Sequence, residues 1–425
     1  MIFYIGFTLS VLGMISVVYR TFASRNILSP QIFVFAGILI YLYIPALANE
    51  FPYIHDNGYN TALLCGTIGC WVASFKFRYN IMDDVKPVCG EPKENIFKTL
   101  SYIYVCFLLF EIAEKIIVAG SITAVFLSNR LDTYLGADLT SNSSPIRSFM
   151  FEGLKIVFFF YVDMLYSRGY KKKAIVLFMV PMMHLAFTAV TRFDFLAMSA
   201  SFFVYVLNKR MYIKHSTIRI KKKLSFVKVS IFSFIGVYIA LLFMRYANLL
   251  RHGLTNTVFD MSYSSLLLST FANDSNYYEF FYDLYKKFTT GQVLFEQGMA
   301  WFIAPFINFI PRAIWSAKPY TSFSVRGTEY VYWDYTSGNP VCTFTIFGEG
   351  FGQFGYIGCF LAPIIFLAAR YTTFNLAKKI KYNQLYILIV MFSLFTFMRA
   401  EAPIFHALLD GFWLIFIRKK LISKQ

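Results

Sequence analysis

Three consecutive pieces of sequence decide the fold: FMFEGLKIVFFFYVDMLY (149–166), SRGYKK (167–172) and KAIVLFMVPMMHLAFTAV (173–190). The first and third are apolar runs, and the middle piece is a short loop that carries three cations. A helix needs about 20 apolar residues to cross the hydrocarbon core of a bilayer, which is roughly 30 Å thick. The stretch therefore predicts two membrane-spanning helices joined by a basic loop at one face of the membrane.

The same alternation of apolar runs and polar loops continues in both directions. The 425 residues are 57% apolar and only 15% charged, with a mean hydropathy of +0.55. A water-soluble fold could not bury that much apolar surface, so lipid must surround much of it. We predict an all-α polytopic membrane protein, one transmembrane domain over 1–425, with about eleven transmembrane helices. The predicted spans are 2–19, 31–48, 59–75, 99–118, 149–166, 173–190, 193–208, 225–245, 345–369, 384–398 and 402–418.

Lys and Arg are distributed unevenly among the predicted loops. If the N-terminus is outside, the cytoplasmic loops hold 25 of the 40 cations and the outer loops hold ten. This is the bias that orients membrane proteins, and it accounts for the net charge of +17 without a nucleic-acid partner. The C-terminus is then cytoplasmic. No basic region or cleavage site accompanies the first apolar run, which we interpret as a retained helix, not a signal peptide.

One large outer loop, 246–340, lies between the eighth and ninth spans. Its segment 293–310 is apolar enough to cross the membrane, but a crossing there would reverse the charge bias of all later loops. Because Pro305 and Pro311 favour a broken element, we predict a re-entrant or interfacial helix. The Tyr and Trp residues of this loop suit either an interfacial aromatic belt or a glycan-binding groove.

Cysteine, histidine and glycine patterns give no sign of a metal or cofactor site. None of the six cysteines forms a CxxC pair, and no HExxH spacing exists. Gly350, Gly352 and Gly355 match GxGxxG, but an apolar run follows directly instead of a strand–helix unit. The five glycines in 348–358 favour close helix packing or a flexible helix start that faces a cavity. We expect no cofactor and no metal.

Several outer cations stand at the predicted membrane edge. An arginine at a helix end is often only an anchor that reaches the headgroups, but its guanidinium also suits phosphate and pyrophosphate. Nearby carboxylates either neutralise these charges or act as a general base on a sugar hydroxyl. The candidate anion-binding residues are Arg192, Arg251, Arg312, Lys318, Arg326 and Arg399, and the candidate bases are Glu349, Glu401, Asp194 and His252.

Motifs in the second half of the chain resemble the Wzy-type O-antigen polymerases. FINFIPRAIWSAKPYTSF (306–323) is similar to an element of that family's large periplasmic loop, and FGEGFGQFGYIGCFLAPI (347–364) to the glycine-containing helix start that follows it. TRFDFLAMSASFFVYV (191–206) and MRAEAPIFHALLDG (398–411) resemble outer segments that carry an arginine. The matching residues are Arg192, Pro311, Lys318, Pro319, Gly348, Glu349, Phe354, Gly355, Gly358 and Arg399.

This resemblance implies a processive, inverting glycosyltransferase of the bacterial inner membrane that uses neither a nucleotide sugar nor a metal. A glycan on undecaprenyl pyrophosphate would be passed to a lipid-linked repeat unit on the periplasmic face. The outer arginines would bind the donor pyrophosphate, and one candidate base would take the acceptor proton. The partners would be the two lipid-linked glycans and the bilayer, and a chain-length regulator could join them.

Three other interpretations stay open at this stage. An O-antigen ligase would use the same donor, and its loss would leave bare lipid A core without single repeats. A lipid-linked oligosaccharide flippase or other transporter usually has two matching halves and broken helices near the midplane, whereas the sequence shows no duplication. A scaffold protein of an envelope complex is the third alternative.

Overall fold

The computed structural model of the protein is built of α-helices, and the predicted all-α class is confirmed for the residues that it describes. Within that part of the chain, β contact is limited to one isolated bridge between Pro92 and Ile422. The described residues are 1–23, 31–48, 52–77, 90–120, 145–187, 197–206, 209, 277–307, 310, 314–315, 317–320, 322–332, 342–394, 398 and 403–422.

The helices follow one another as an alternation of long apolar elements and short amphipathic ones. In chain order they are α1 (Ile2–Ala23), α2 (Gln31–Ile38), α3 (Ile44–Ala48), α4 (Asn57–Lys76), α5 (Glu94–Ala119), α6 (Pro145–Ser167), α7 (Lys171–Phe187), α8 (Ala197–Val206), α9 (Tyr277–Thr289), α10 (Ala304–Ile307), α11 (Phe323–Val331), α12 (Thr345–Lys378), α13 (Gln384–Ser393) and α14 (Pro403–Phe416). π-helical turns span Leu39–Tyr43, Met299–Ile303 and Ile417–Leu421, and a 3-10 turn spans Pro52–His55.

Buried side chains form two hydrophobic cores, and α12 contributes to both. The first core joins α1–α4 to α9, α11 and the beginning of α12, with Tyr59 and Phe347 fully buried. The second joins α5–α8 to α13, α14 and the end of α12, with Phe158 and Trp413 among its members. Residues 156–166 of α6 are all buried, which is the pattern of a helix enclosed by other helices.

Within the part of the chain that the structure describes, three helices are long and apolar enough to cross a membrane, Ile2–Arg20, Glu94–Glu114 and Thr345–Lys378. Large apolar side chains point away from the cores, as Leu109 and Phe110 do on α5, where they are 57% and 62% exposed. Such faces are stable against lipid and costly against water. The membrane-like character of the sequence is therefore kept in the fold. The number of eleven crossings stays a prediction, and its span 225–245 lies outside the described residues.

α12 differs from the straight span predicted at 345–369. Its backbone leaves the helical conformation at Phe354 (φ −143°, ψ 24°) and Gly355 (φ 62°, ψ −139°). Glycine adopts a positive φ at little cost, because it has no Cβ. The chain reverses there into the α12 hairpin, whose first arm is 345–353 and whose second arm is 356–378.

The two arms of the α12 hairpin touch backbone to backbone. A Cβ atom on Gly358 would lie 1.8 Å from the Gly350 carbonyl oxygen. Farther from the turn, the Cys359 thiol donates a hydrogen bond to the Phe347 carbonyl oxygen at 3.2 Å. Glycine at both positions thus permits an approach that any side chain would prevent, as the sequence pattern suggested.

The second arm also extends beyond the predicted end of the ninth span. Arg370 was expected to begin a cytoplasmic loop, 370–383, but the helix continues to Lys378. Arg370 is paired there with Asp410, and the position of the membrane boundary along this helix stays a prediction.

Among the described residues of the segment 293–310, the helical part is short. The π-helical turn Met299–Ile303 and α10 give nine helical residues, about 13 Å at 1.5 Å per residue, which is too short to cross the hydrocarbon core. Phe302 and Phe306 are exposed, whereas Trp301 is buried. Its re-entrant or interfacial placement stays a prediction, and Pro311 lies outside the described residues.

The glycine contact of the α12 hairpin leads to a stability prediction. Gly358→Ala places a methyl group against the Gly350 carbonyl, so the arms must separate, and we expect a loss of about 1–3 kcal/mol. The melting temperature of the purified protein in detergent measures it. Gly411→Ala in α14 is the matched control, since no neighbouring atom lies within 4 Å of that Cβ. Equal melting temperatures for the two variants would contradict the close contact.

Candidate functional site

A buried ion pair joins the segment that precedes α10 to α11. Ser322 caps α11 through the Val325 amide, and Arg326 lies one turn into the helix. Its Nε and Nη2 donate hydrogen bonds to the two carboxylate oxygens of Glu296, both at 2.7 Å. Burial alone would lower the pKa of the Arg326 guanidinium, but the hydrogen bonds and charge of Glu296 outweigh it and raise the pKa.

Glu296 is also bound by two other side chains. The Tyr330 hydroxyl donates to Oε1 at 3.0 Å, and the Gln353 amide donates to Oε2 at 2.6 Å. Burial, with the negative charge of Glu296 beside it, raises the pKa of Tyr330 to about 12. Gln353 Oε1 accepts a hydrogen bond from the Ala300 amide at 3.1 Å. We call the residues of this hydrogen-bonded group the Glu296 network: Glu296, Arg326, Tyr330 and Gln353. The network connects the turn of the α12 hairpin to the loop that carries Glu296.

Glu349, a predicted base, lies one helical turn before Gln353 on the first arm. It is 2% exposed, and its Oε1 accepts a hydrogen bond from the Trp301 indole at 3.1 Å. It also interacts electrostatically with Arg326. The carboxylate is therefore enclosed between the hairpin and the loop that carries Glu296.

A cleft of about 510 Å³ lies beside the turn of the hairpin. Gln297 is its exposed polar lining residue. Gln353 also lines the cleft, but it is 0% exposed and its amide is bound to Glu296 and to the Ala300 backbone. Ile357, Leu361 and Ile365, each four residues apart, form a continuous apolar stripe down the second arm. Polar groups at one end and a long apolar wall suit a molecule with a polar head and a hydrocarbon tail. The other lining residues are Phe295, Trp301, Phe302 and Phe354.

Most aromatic side chains of α9 are core residues. Tyr278 and Phe281 are fully buried and pack edge-on against Tyr59, whose hydroxyl donates to the Tyr278 carbonyl oxygen at 2.9 Å. Tyr282 stacks on Tyr53 with ring centroids 3.9 Å apart. Because Tyr278 and Phe281 are buried in the core, they belong neither to an interfacial aromatic belt nor to a glycan-binding groove, the two roles that the sequence left open.

A polar contact at the edge of this aromatic cluster joins α4 to α9. Asp56 caps α4 through the Tyr59 amide and accepts a hydrogen bond from Lys286 at 2.8 Å. Burial works against the charged carboxylate, but the Lys286 and Tyr59 hydrogen bonds outweigh it, and the pKa of Asp56 is lowered. The bond fixes α9 over the beginning of α4.

Three of the predicted site residues lie in the described part of the chain. Arg326 and Glu349 come together beside the cleft, and Lys318 donates a hydrogen bond to the Ile310 carbonyl oxygen at 2.9 Å. The remaining predicted residues lie outside the described residues: Arg192, Asp194, Arg251, His252, Arg312, Arg399 and Glu401.

Sequence reasoning missed Glu296, Gln353 and Trp301. Glu296 interrupts the apolar run VLFEQGMAWF (293–302), and an isolated carboxylate in an apolar run is a signal of a buried partner or a function. Gln353 and Trp301 carried no comparable signal, because their roles depend on the reversal at Gly355.

A second set of charges lies inside the helix bundle. Arg370 Nη1 donates to Asp410 Oδ2 at 2.8 Å, with the two side chains 14% and 7% exposed. Lys155 Nζ donates to Glu152 Oε2 at 2.6 Å. His406 on α14 interacts electrostatically with Glu152, Arg370 and Lys155. We call these five residues the bundle cluster.

The bundle cluster lies deep within the helices. Residues 91–93 contact both Lys381 and Leu421, which places these two residues at one end of the bundle. Arg370 and Asp410 each precede their end residue by eleven positions, so both lie about 16 Å from that end at 1.5 Å per residue. Charges at that depth require partners, because their desolvation is costly.

Comparison with known proteins does not identify the chain: no family model, no curated protein and no solved structure matches it.

The Glu296 network leads to a prediction about stability. Arg326→Ala leaves the Glu296 carboxylate buried without its cation, and we expect a loss of about 3–5 kcal/mol in unfolding free energy. Combining Arg326→Met with Glu296→Gln removes both charges and should recover much of that loss. Chemical unfolding in detergent measures both variants.

Lys286→Ala is the control for this comparison. Its partner is also a carboxylate, but the Lys286 side chain is 48% exposed, so the loss should stay within about 1 kcal/mol. Equal losses for Arg326→Ala and Lys286→Ala would mean that the Glu296 network does not hold the hairpin.

Proposed function

We propose that the protein is a membrane glycosyltransferase that polymerises undecaprenyl-pyrophosphate-linked repeat units into O-antigen or another surface polysaccharide. In this proposal it lies in the bacterial inner membrane. The distribution of Lys and Arg supports a periplasmic N-terminus and a cytoplasmic C-terminus. The turn of the α12 hairpin would then be periplasmic, since the second arm ends at the cytoplasmic face.

The observation that carries the proposal is the cleft beside the α12 hairpin. Gly355 precedes the helix end at Lys378 by 23 residues, about 34 Å along the helix, so in this orientation the turn would stand near the outer headgroups. The apolar stripe from Ile357 to Ile365 descends from there toward the bilayer core. A polyprenyl chain on the stripe would leave its pyrophosphate near the polar end of the cleft and its glycan outside.

The reaction needs an anion site and a proton acceptor. The acceptor hydroxyl oxygen bonds to the anomeric carbon, the bond from that carbon to the phosphate oxygen breaks, and the carrier pyrophosphate leaves while a base takes the hydroxyl proton. The outer arginines predicted from the sequence would hold the pyrophosphate. Arg326 would not bind the pyrophosphate, because two nitrogens of its guanidinium are already hydrogen-bonded to Glu296. Its role is to stabilise the wall of the cleft.

The position of the helix break argues against a transporter. Substrates of secondary transporters bind near the midplane at helices broken in both structural halves. The break in α12 lies at the outer end of its helix, and the sequence shows no second copy. An O-antigen ligase would use the same lipid-linked donor, so its products must be distinguished by experiment.

The lipopolysaccharide of the source strain tests the proposal when this gene is deleted. We expect the ladder on a gel to collapse to core plus one repeat unit, and a plasmid copy of the gene to restore it. Bare core without single repeats would indicate a ligase or a flippase, and an unchanged ladder would refute the proposal.

Filling the cleft tests the role of the apolar stripe. Leu361→Trp places an indole where the hydrocarbon chain would lie, and we expect about tenfold less long-chain product or a greater loss. Leu408→Trp is the matched control, since Leu408 is 54% exposed on the outward face of α14. Full-length ladders in both variants, at equal protein levels, would show that the lipid chain does not bind in this cleft.

A further inference from the structure

Gln297 is the first central residue of a tight turn at the edge of the cleft. The Met299 amide donates to the Glu296 carbonyl oxygen at 3.1 Å, which closes a four-residue β-turn. Gln297 and Gly298 have φ angles of 52° and 91°, as in a type I′ turn. Glycine adopts a positive φ at little cost, and asparagine or aspartate is otherwise usual there. A glutamine at this position leaves the backbone strained.

The strained turn is held firmly against the first arm of the α12 hairpin. The Glu296 amide donates to the Gly352 carbonyl oxygen at 2.9 Å, and the Gln297 amide donates to the Gln353 carbonyl oxygen at 3.1 Å. The two hydrogen bonds from Arg326 to the Glu296 carboxylate fasten the same loop to α11. The backbone of Gln297 is therefore fixed at the level of the hairpin turn, where its side chain lines the cleft.

The side chain of Gln297 is available to a ligand. It is exposed and, within the part of the chain that the structure describes, makes no hydrogen bond. The other polar side chains that line the cleft are engaged, since the Gln353 amide binds Glu296 and the Trp301 indole binds Glu349. A strained backbone with an unbound amide beside a cleft indicates a functional side chain, because the amide contributes nothing to the fold.

The order of groups along the cleft indicates what the amide meets. Ile357 is the first residue of the apolar stripe after the turn, and Gln297 stands at the turn itself. A hydrocarbon chain that lies on the stripe therefore brings its polar end to Gln297. In the polyprenyl carrier of the proposed function, the group that directly follows the chain is a phosphate. Phosphate oxygens accept hydrogen bonds, and a glutamine amide offers two donors.

An uncharged donor suits this end of the cleft, because the guanidinium next to it is occupied. Arg326 donates through Nε and Nη2 to Glu296 and through Nη1 to the Tyr320 carbonyl oxygen. The carboxylate of Glu349 is enclosed, at 2% exposure. Glutamine side chains are common hydrogen-bond donors to phosphate oxygens in other proteins.

Resting on the proposed function, we infer that the side-chain amide of Gln297 donates a hydrogen bond to the phosphate that follows the hydrocarbon chain of the lipid-linked substrate. The residue binds and takes no part in proton transfer. Its hydrogen bond sets how far the chain enters the cleft, and it thereby holds the pyrophosphate and the attached sugar at the level of the hairpin turn.

Native mass spectrometry of the full-length protein in detergent tests the inference with two probes, undecaprenyl phosphate and undecaprenol, which lacks the phosphate. We expect Gln297→Gly to weaken the binding of undecaprenyl phosphate about tenfold, and that of undecaprenol less than about twofold. Gln297→Glu keeps the size of the side chain but replaces the donors by a negative charge. It should weaken the binding of undecaprenyl phosphate further, because like charges repel.

Gln292→Gly is the matched control, since Gln292 is an exposed residue of the same loop that does not line the cleft. Both probes should bind to it as they bind to the wild type. Gln297→Gly also relieves the positive φ, so its melting temperature should equal or exceed that of the wild type. A clearly lower melting temperature would show that the side chain supports the fold, and it would overturn the inference.

Equal binding of undecaprenyl phosphate to the wild type and to Gln297→Gly would also overturn the inference. So would an equal loss for both probes, since the amide would then not contact the phosphate. These measurements do not depend on polymerisation, which the ladder of the deletion strain tests separately. An unchanged ladder together with a loss specific to undecaprenyl phosphate would refute polymerisation and support the phosphate site.

Discussion

The contact between the backbones of two glycines fixes the shape of the α12 hairpin, on which the candidate site depends. Because Gly350 and Gly358 bring the two arms together without side chains between them, the chain can reverse at Gly355 and present Glu349 and Gln353 to the loop of Glu296. The Glu296 network then pairs the buried charges of Glu296 and Arg326 beside this reversal. These contacts fix the turn at Gly355, and the cleft lies beside that turn along the second arm. A bulkier residue at either glycine would separate all of these parts together.

The sequence was a good guide to what each stretch of chain prefers. Apolar runs predicted helices, the Gly348–Gly358 stretch predicted close packing, and the described part of the chain bears out both. It was a poorer guide to where individual helices end. Arg370 seemed to close a span, since a single cation is expensive among apolar residues. Its partner, Asp410, is 40 positions away, and no local pattern connects the two.

The candidate site shows the same limit. Glu349 and Arg326 were chosen for their chemistry and do lie near each other. However, the sequence could not show that Glu296, 30 positions before Arg326, occupies the guanidinium. Neither could it show that the carboxylate of Glu349 is enclosed against the Trp301 indole. Exposure inside a helix bundle depends on which faces of separate helices meet, and that is decided by packing across the whole chain.

The packing of α4 against α12 has a consequence for biosynthesis. Gly66 lies against the Phe347 ring, and Gly69 against the backbone at Phe360, so the first core is completed only when residues from both regions exist. The two regions are roughly 270 residues apart, and ribosomes add about 5–20 residues per second. The glycine-lined face of α4 must therefore wait on the order of 10 to 60 s in the membrane before its partner arrives. During that interval lipid, or a membrane chaperone, has to occupy the place of α12, and the first half of the chain is most vulnerable to proteolysis.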